Sequence, residues 1–162
     1  MAGYSGTPLP KKLGIKEGHT VAMLSAPDGF AATLGPLPAG ADLVHDLRGH
    51  RDVVVAFFTA KAALEKRLAA LTKAIFPDGG LWIAWPKKAS KVPTDITEDV
   101  VRAVALPTGL VDNKVCAIDD VWSGLRLVVR VENRGARAAP GGAGRQIQLR
   151  DASADSSSDG SP

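Results

Sequence analysis

Short apolar runs closed by turn signals set the rhythm of the first half of the chain. Residues 19–25 (HTVAMLS), 52–58 (DVVVAFF) and 81–85 (LWIAW) are apolar at successive positions rather than alternate ones. That is the pattern of parallel strands covered on both faces. Gly18 and Pro27-Asp28-Gly29 bound the first run, and Asp28 is a suitable N-cap for a short helix over residues 29–34 that Gly35-Pro36-Leu37-Pro38 stops. A further short strand is expected over residues 41–47, around Leu43 and Val44. Between the second and third runs the period changes. Leu64, Leu68, Leu71 and Ile75 recur at helical spacing, with Lys61, Glu65, Lys66, Arg67 and Lys73 on the remaining surface, which predicts an amphipathic helix over residues 61–76. Pro77-Asp78-Gly79-Gly80 ends it.

The remainder of the chain hangs from residues 78–120. After the strand at 81–85 come a basic, proline-bounded loop, PKKASKVP, and an amphipathic helix. Thr94 or Asp95 is its expected N-cap, Asp95 with Glu98 resembling a capping box, with Ile96, Val100 and Val104 on the buried face. Pro107 and Gly109 close it. Residues 111–118 and 122–131 then read as two strands joined at Asp119-Asp120-Val121. In the second, Leu125, Leu127, Val129 and Val131 alternate with Arg126, Val128 and Arg130, the pattern of a half-exposed antiparallel strand. At the other end, Thr7-Pro8 opens a short helix that Gly14 stops.

Strand–helix alternation followed by an antiparallel pair predicts an α/β fold: a Rossmann-like three-layer sandwich, its sheet mostly parallel with a C-terminal antiparallel hairpin. This layout is similar to a shortened class I S-adenosylmethionine-dependent methyltransferase sheet. One domain is expected over residues 1–134. Residues 135–162, rich in Gly, Ala, Ser and Asp, have little to bury and are expected to be a disordered tail.

Charge and composition narrow the classes of partner. The net charge of +3 and pI near 9.2 permit anionic ligands but fall short of a dedicated nucleic-acid binder, and eight aromatic residues are few for a base-stacking surface. Nucleic acid is the least favoured partner. The single cysteine, Cys116, excludes an internal disulfide and reads as a small buried hydrophobe. No run has the length of a membrane span and no apolar segment follows the N-terminal lysines, so a cytoplasmic protein is expected. His19, His45 and His50 are scattered without carboxylate companions, so no metal is expected.

In open α/β sheets ligands collect at the carboxyl ends of the strands, here residues 25–29, 59–60 and 86–91. The first of these loops carries only Gly29, where dinucleotide-type motifs place two or three glycines. The basic loop is the sharper candidate. Lys87, Lys88 and Lys91, with the hydroxyls of Ser90 and Thr94 and the following helix terminus, form a set able to bind a phosphate or carboxylate, although such a charge run is also what a solvated turn looks like. Asp95 and Glu98 read as caps, Trp122 as a hairpin-packing residue and Arg126 as a solvated strand charge. No nucleophile elbow and no P-loop is present, and no catalytic residue is assigned.

The opening phrase GYSGTPLPKKLGIKEG and the long phrase from GGLWIAWPKKASKVPTDITEDVVRAVALPTGLVDNKVCAIDD to VWSGLRLVVR resemble the bacterial family designated domain of unknown function 3052. The resemblance implies a compact domain followed by a variable tail, and it carries no activity or catalytic residue with it. The function expected is that of a Rossmann-like domain, non-catalytic, binding a protein partner or a small anionic ligand, with no cofactor. The alternative is a divergent enzyme binding S-adenosylmethionine or a nucleotide through residues 87–95.

Overall fold

A computed structural model describes residues 7–138, with side chains described through Arg134. The chain divides after Val128 into two units, the first built on the sheet and the second containing the last helix. In order, the elements are α1 (Leu9–Lys12), β1 (Thr20–Leu24), α2 (Phe30–Leu34), β2 (Asp42–Val44), β3 (Val53–Phe57), α3 (Lys61–Ile75), β4 (Gly80–Pro86), α4 (Glu98–Ala105), β5 (Leu110–Ala117), β6 (Trp122–Val129) and α5 (Val131–Ala138), with 3-10 turns at Lys88–Ser90 and Leu106–Thr108.

The six strands form one sheet in the order β2-β1-β3-β4-β6-β5. β1, β2, β3 and β4 are parallel, and β6 runs antiparallel to β4 with Leu81 opposite Leu127 and Pro86 opposite Trp122. This is the α/β layout expected from the sequence. Every residue of β3 and β4 is buried, as the uninterrupted apolar runs require of central strands.

Alternation along the strands divides the buried residues between two faces. Val21, Met23, Val53, Val55, Phe57 and Trp82 pack with Leu13, Ile15, Phe30 and Leu34 from the α1 and α2 segments. The intervening residues, Val54, Ala56, Leu81 and Ile83, point to the side covered by α3, whose Leu64, Leu68, Leu71 and Ile75 are buried.

Four expectations are corrected. Asp28 does not cap α2; Gly29, at φ 80°, holds the N-cap position without a side-chain bond. α4 begins later than expected, with Thr97 as its N-cap accepting from the Val100 amide, and it buries Val101 and Ala105 rather than Val100 and Val104. The β2 strand covers only Asp42–Val44, because the chain turns at His45 and Asp46. β6 is not half-exposed: it lies inside the sheet between β4 and β5, so Leu125, Leu127 and Val128 are all buried.

In the second unit, Arg134 Nε donates to the Val129 carbonyl at 3.0 Å, and α5 covers residues 135–138 of the segment expected to lack structure. Residues 139–162 of that segment lie outside the described residues. Among the described residues no helix is long and apolar enough to cross a membrane.

Candidate functional site at the carboxyl ends of the strands

β1 has β2 on one side and β3 on the other, so the chain leaves β1 in one direction across the sheet and later continues in the opposite one. Such a reversal opens a crevice outside the carboxyl ends of the two strands on either side of it. A cleft of about 970 Å³ lies there, walled by Ser25, Ala26, Pro27 and Gly29 after β1, His45 after β2, Phe57, Phe58 and Thr59 at the end of β3, Arg67 on α3, and Trp122 at the start of β6.

Its floor is aromatic. Phe57 stands edge-on to Phe30 at 4.9 Å and to Trp122 at 5.0 Å between ring centroids, within the range of favourable aromatic pairs. Trp122 is only half-buried, so the residue expected to do no more than pack the hairpin also presents surface to the cleft. On the rim, Ser25 holds φ at 59°. A left-handed conformation costs an L-residue about 1–2 kcal/mol, and strain of this kind concentrates where a chain is shaped around a ligand. The His45 ring places Nδ1 3.2 Å from the Met23 carbonyl. Because a carbonyl can only accept, Nδ1 carries the proton and Nε2 of the neutral ring is an acceptor.

Among the described residues no Asp, Glu, Cys or Tyr lines the cleft, and the one formal charge on its wall is that of Arg67. Asp46, two residues beyond β2, is drawn away instead. Its carboxylate accepts from the Arg48 amide at 3.1 Å and pairs with Arg51, and these two contacts hold it below the usual carboxylate range.

The basic loop is held by its own hydrogen bonds. Lys87 donates its backbone N–H to Val121 at 2.7 Å, and Lys88–Ser90 forms a single 3-10 turn that Lys91 leaves at φ 63°. The Ser90 hydroxyl donates to the Lys87 carbonyl at 2.6 Å and accepts from the Val92 amide. Thr94 donates its hydroxyl proton to the Thr59 carbonyl at 2.7 Å and accepts from the Ile96 amide. Both hydroxyl protons are therefore committed to the backbone.

Asp95 is a cap, but of another helix. Its Oδ1 accepts from the Lys61 amide at 2.7 Å, placing a carboxylate at the N-terminus of α3. Glu98 pairs with Arg102 at 2.6 Å. Thr94 and Asp95 thus fasten the loop to the cleft rim at Thr59 and Lys61. Lys87, Lys88, Ser90 and Lys91 are not among the cleft-lining residues, and no ion pair holds the three lysines among the described residues. Among the described residues there is also no group of three or more His, Cys, Asp or Glu able to hold a metal.

No protein-family model matches the chain, and no curated protein matches it. Solved structures do. An S-adenosylmethionine-dependent methyltransferase from Aquifex aeolicus superposes with a TM-score of 0.55 at 18% identity, covering 75% of this chain and 88% of that one. The ribosomal protein L11 methylase from Lactobacillus delbrueckii subsp. bulgaricus gives 0.53 at 14% identity, covering 75% of each chain. Magnesium protoporphyrin IX methyltransferase from Synechocystis PCC 6803, solved with bound S-adenosylmethionine, gives 0.50 at 13%, covering 70% of this chain and 71% of that one. The fold is methyltransferase-like. At these identities the likeness is one of fold, which by itself assigns no chemistry.

The cleft residues can be tested against such a ligand directly. The volume and the aromatic floor suit a flat heterocycle. Ser25, Thr59 and His45 offer polar side chains at the rim, and Arg67 offers a partner for an anionic tail. Among the described residues no carboxylate lines the cleft to accept from a ribose diol, and the loop after β1 has Ala26-Pro27-Asp28-Gly29 in place of a glycine-rich turn, with no N–H on Pro27. The residues fit the ring and the anionic tail, and a ribose would meet the hydroxyls of Ser25 and Thr59 and the His45 ring in place of a carboxylate.

Of the residues that form the cleft, sequence reasoning located the loops at 25–29 and 59–60 but missed His45, Phe57, Arg67 and Trp122 as wall-forming side chains. The parallel pairing of β1 with both β2 and β3, which gathers them, involves segments with no spacing rule in common.

Proposed function

We propose that this protein binds a small adenosine-type ligand with an anionic group, of the S-adenosylmethionine or nucleotide class, in the cleft between the carboxyl ends of β1 and β3. The observation that carries the reading is the position of an aromatic-floored cleft at the strand-order reversal of a methyltransferase-like sheet. In this reading Phe57 and Trp122 receive the heterocycle, the strained turn at Ser25 shapes the rim, and Arg67 meets the anionic group. The lysines of residues 87–91 raise the local positive potential and assist capture without direct contact.

A binding role without turnover is one form of this reading, in which the ring and the anionic group of the ligand are held by Phe57, Trp122 and Arg67. A divergent enzyme is the second form, and His45, with Nε2 free to accept, is the residue that favours it. Membership of the domain of unknown function 3052 family, resting on the two phrases that resemble it, is part of the same proposal, as is a protein partner for the ligand-loaded state.

The test is thermal melting and calorimetry of the full chain with S-adenosylmethionine, S-adenosylhomocysteine, adenosine and ATP. A ligand that binds only the folded protein raises the melting midpoint. Arg67→Ala is expected to weaken the compounds with an anionic group while leaving adenosine unchanged, and Trp122→Leu to weaken all four. Absence of a shift with every compound at millimolar concentration sinks the proposal.

A further inference from the structure

β6 carries a second polar feature at the opposite end of the sheet. Trp122, Gly124 and Arg126 project from the same face, facing Pro86, Ala84 and Trp82 in register. Trp122 lines the cleft described above. Arg126, four residues on and so about 13 Å away along the strand, lines a separate cavity of about 470 Å³ at the amino ends of β1 and β3.

The wall of this cavity is strongly polar. Lys12, Lys16, Lys114 and Arg126 supply four positive charges, and Asp52 and Asp78 two negative ones. Both carboxylates are engaged elsewhere: Asp52 Oδ2 accepts from the Thr20 amide at 2.8 Å, and Asp78 Oδ1 lies 3.3 Å from His50 Nε2. His19 uses Nδ1 to accept from the Lys16 amide at 3.1 Å, which leaves Nε2 of the neutral ring as a donor on the same wall.

Arg126 is the decisive member. Its guanidinium lies flat over Gly80, so close that a Cβ at residue 80 would stand 2.6 Å from one terminal nitrogen. The residue is half-buried, yet among the described residues it has no ion pair and no side-chain hydrogen bond. Burial without a counter-charge disfavours the cation and lowers its pKa, although an arginine stays charged throughout the working pH range. A half-buried guanidinium with no protein partner among the described residues turns its donors to the cavity, where an anion can complete them.

We infer that the cavity at the amino ends of the strands is an anion site that takes a small phosphate-bearing ligand, with Arg126 as its fork and Lys16 and Lys114 as flanking charges. Bidentate pairing of a guanidinium with phosphate is among the strongest polar contacts available to a side chain. The glycine at residue 80 keeps the seat open for the guanidinium. The volume exceeds that of inorganic phosphate, so the phosphate is one group of a larger molecule, and a carboxylate-bearing molecule is the competing source of the same charge. The site is independent of the adenosine-type cleft and shares no lining residue with it.

The test is calorimetric titration of the full chain with pyrophosphate, inorganic phosphate and citrate at low ionic strength. Pyrophosphate is expected to bind more tightly than citrate, with Arg126→Met weakening it by about tenfold or more and Lys16→Ala with Lys114→Ala weakening it severalfold. Saturating S-adenosylhomocysteine is expected to leave it unchanged. Because Arg126→Met could perturb the strand, the unmodified protein supplies a second readout: the Arg126 Nε–H resonance is expected to shift on adding pyrophosphate. An unmoved resonance, pyrophosphate affinity equal in Arg126→Met and the parent, or tighter binding of citrate than of pyrophosphate each overturns the inference.

Discussion

The indole N–H of Trp82 donates to the carbonyl of Leu13 across 69 residues of chain, at 2.9 Å and with both residues at 0% exposure. The bond fastens the segment after α1 onto the centre of the sheet, where Leu13 and Ile15 join the core over β1 and β3. Replacing Trp82 by Phe keeps an aromatic ring against Gly124 but leaves the Leu13 carbonyl buried without a donor. An unsatisfied buried acceptor costs about 1–3 kcal/mol, and the lost ring volume adds to it. Trp82→Phe is therefore expected to lower the unfolding free energy by about 2–3 kcal/mol, read as a lower urea midpoint at constant slope. An unchanged midpoint would mean that the N-terminal segment is held by packing alone.

Asp95 gives a prediction that separates structure from binding in the basic loop. Its carboxylate accepts from the Lys61 amide at the start of α3, and removal of a capping side chain costs about 1 kcal/mol. Asp95→Ala is expected to destabilise by that amount, while Lys87→Ala and Lys88→Ala, whose side chains make no ion pair among the described residues, stay within about 0.5 kcal/mol of the parent. Equal stability of all three variants in chemical denaturation would remove Asp95 from its role as the cap of α3.

These two contacts mark where the sequence is legible and where it is not. The helix at Lys61–Ile75 and the buried strands at 53–57 and 80–86 follow from local periodicity, because burial of one face or of both leaves a repeating signature. Asp95 looked like the cap of the helix that follows it because Glu98 stands three residues on, yet its partner is 34 residues earlier, a relation no local pattern encodes. β6 looked half-exposed because Arg126 and Arg130 interrupt its apolar residues. In the structure the Arg126 side chain is accommodated over Gly80 inside the sheet's N-terminal end. The cleft was legible as a location, through the rule for strand ends, and illegible as a set of side chains, because its wall is assembled from β1, β2, β3, α3 and β6.

Cys116 provides a pH-dependent prediction. Burial raises its pKa above the ordinary thiol value, and the nearby charges of Lys12 and Lys114 act in the opposite sense. The folded protein therefore keeps its proton to higher pH than the unfolded chain does. Stability associated with this group is fully present below the unfolded pKa and is lost as pH rises through the folded value. Alkylation by iodoacetamide at pH 8 is expected to be slower in the native protein than in urea, with the native rate rising steeply only at more alkaline pH. Replacing Lys12 and Lys114 by Met is expected to slow the native reaction further. A native rate equal to the unfolded one at pH 8 would contradict the burial effect.

Ser25 offers the most direct link between strain and binding. At φ 59° it pays the penalty of a left-handed L-residue, about 1–2 kcal/mol, at the point where β1 opens into the cleft. Glycine removes that penalty but brings an unfolded-state entropy cost of about 0.5–1 kcal/mol, so Ser25→Gly is expected to leave stability unchanged or raise it by up to about 1.5 kcal/mol. Were the conformation incidental, binding of the adenosine-type ligand would be equally indifferent to the change. If the turn is held in place to shape the rim and present the Ser25 hydroxyl, the same variant binds the ligand more weakly despite its equal or greater stability. Melting and calorimetry on one preparation separate the two outcomes. A variant that is less stable than the parent would instead show that the serine side chain, rather than the backbone conformation, holds the end of β1.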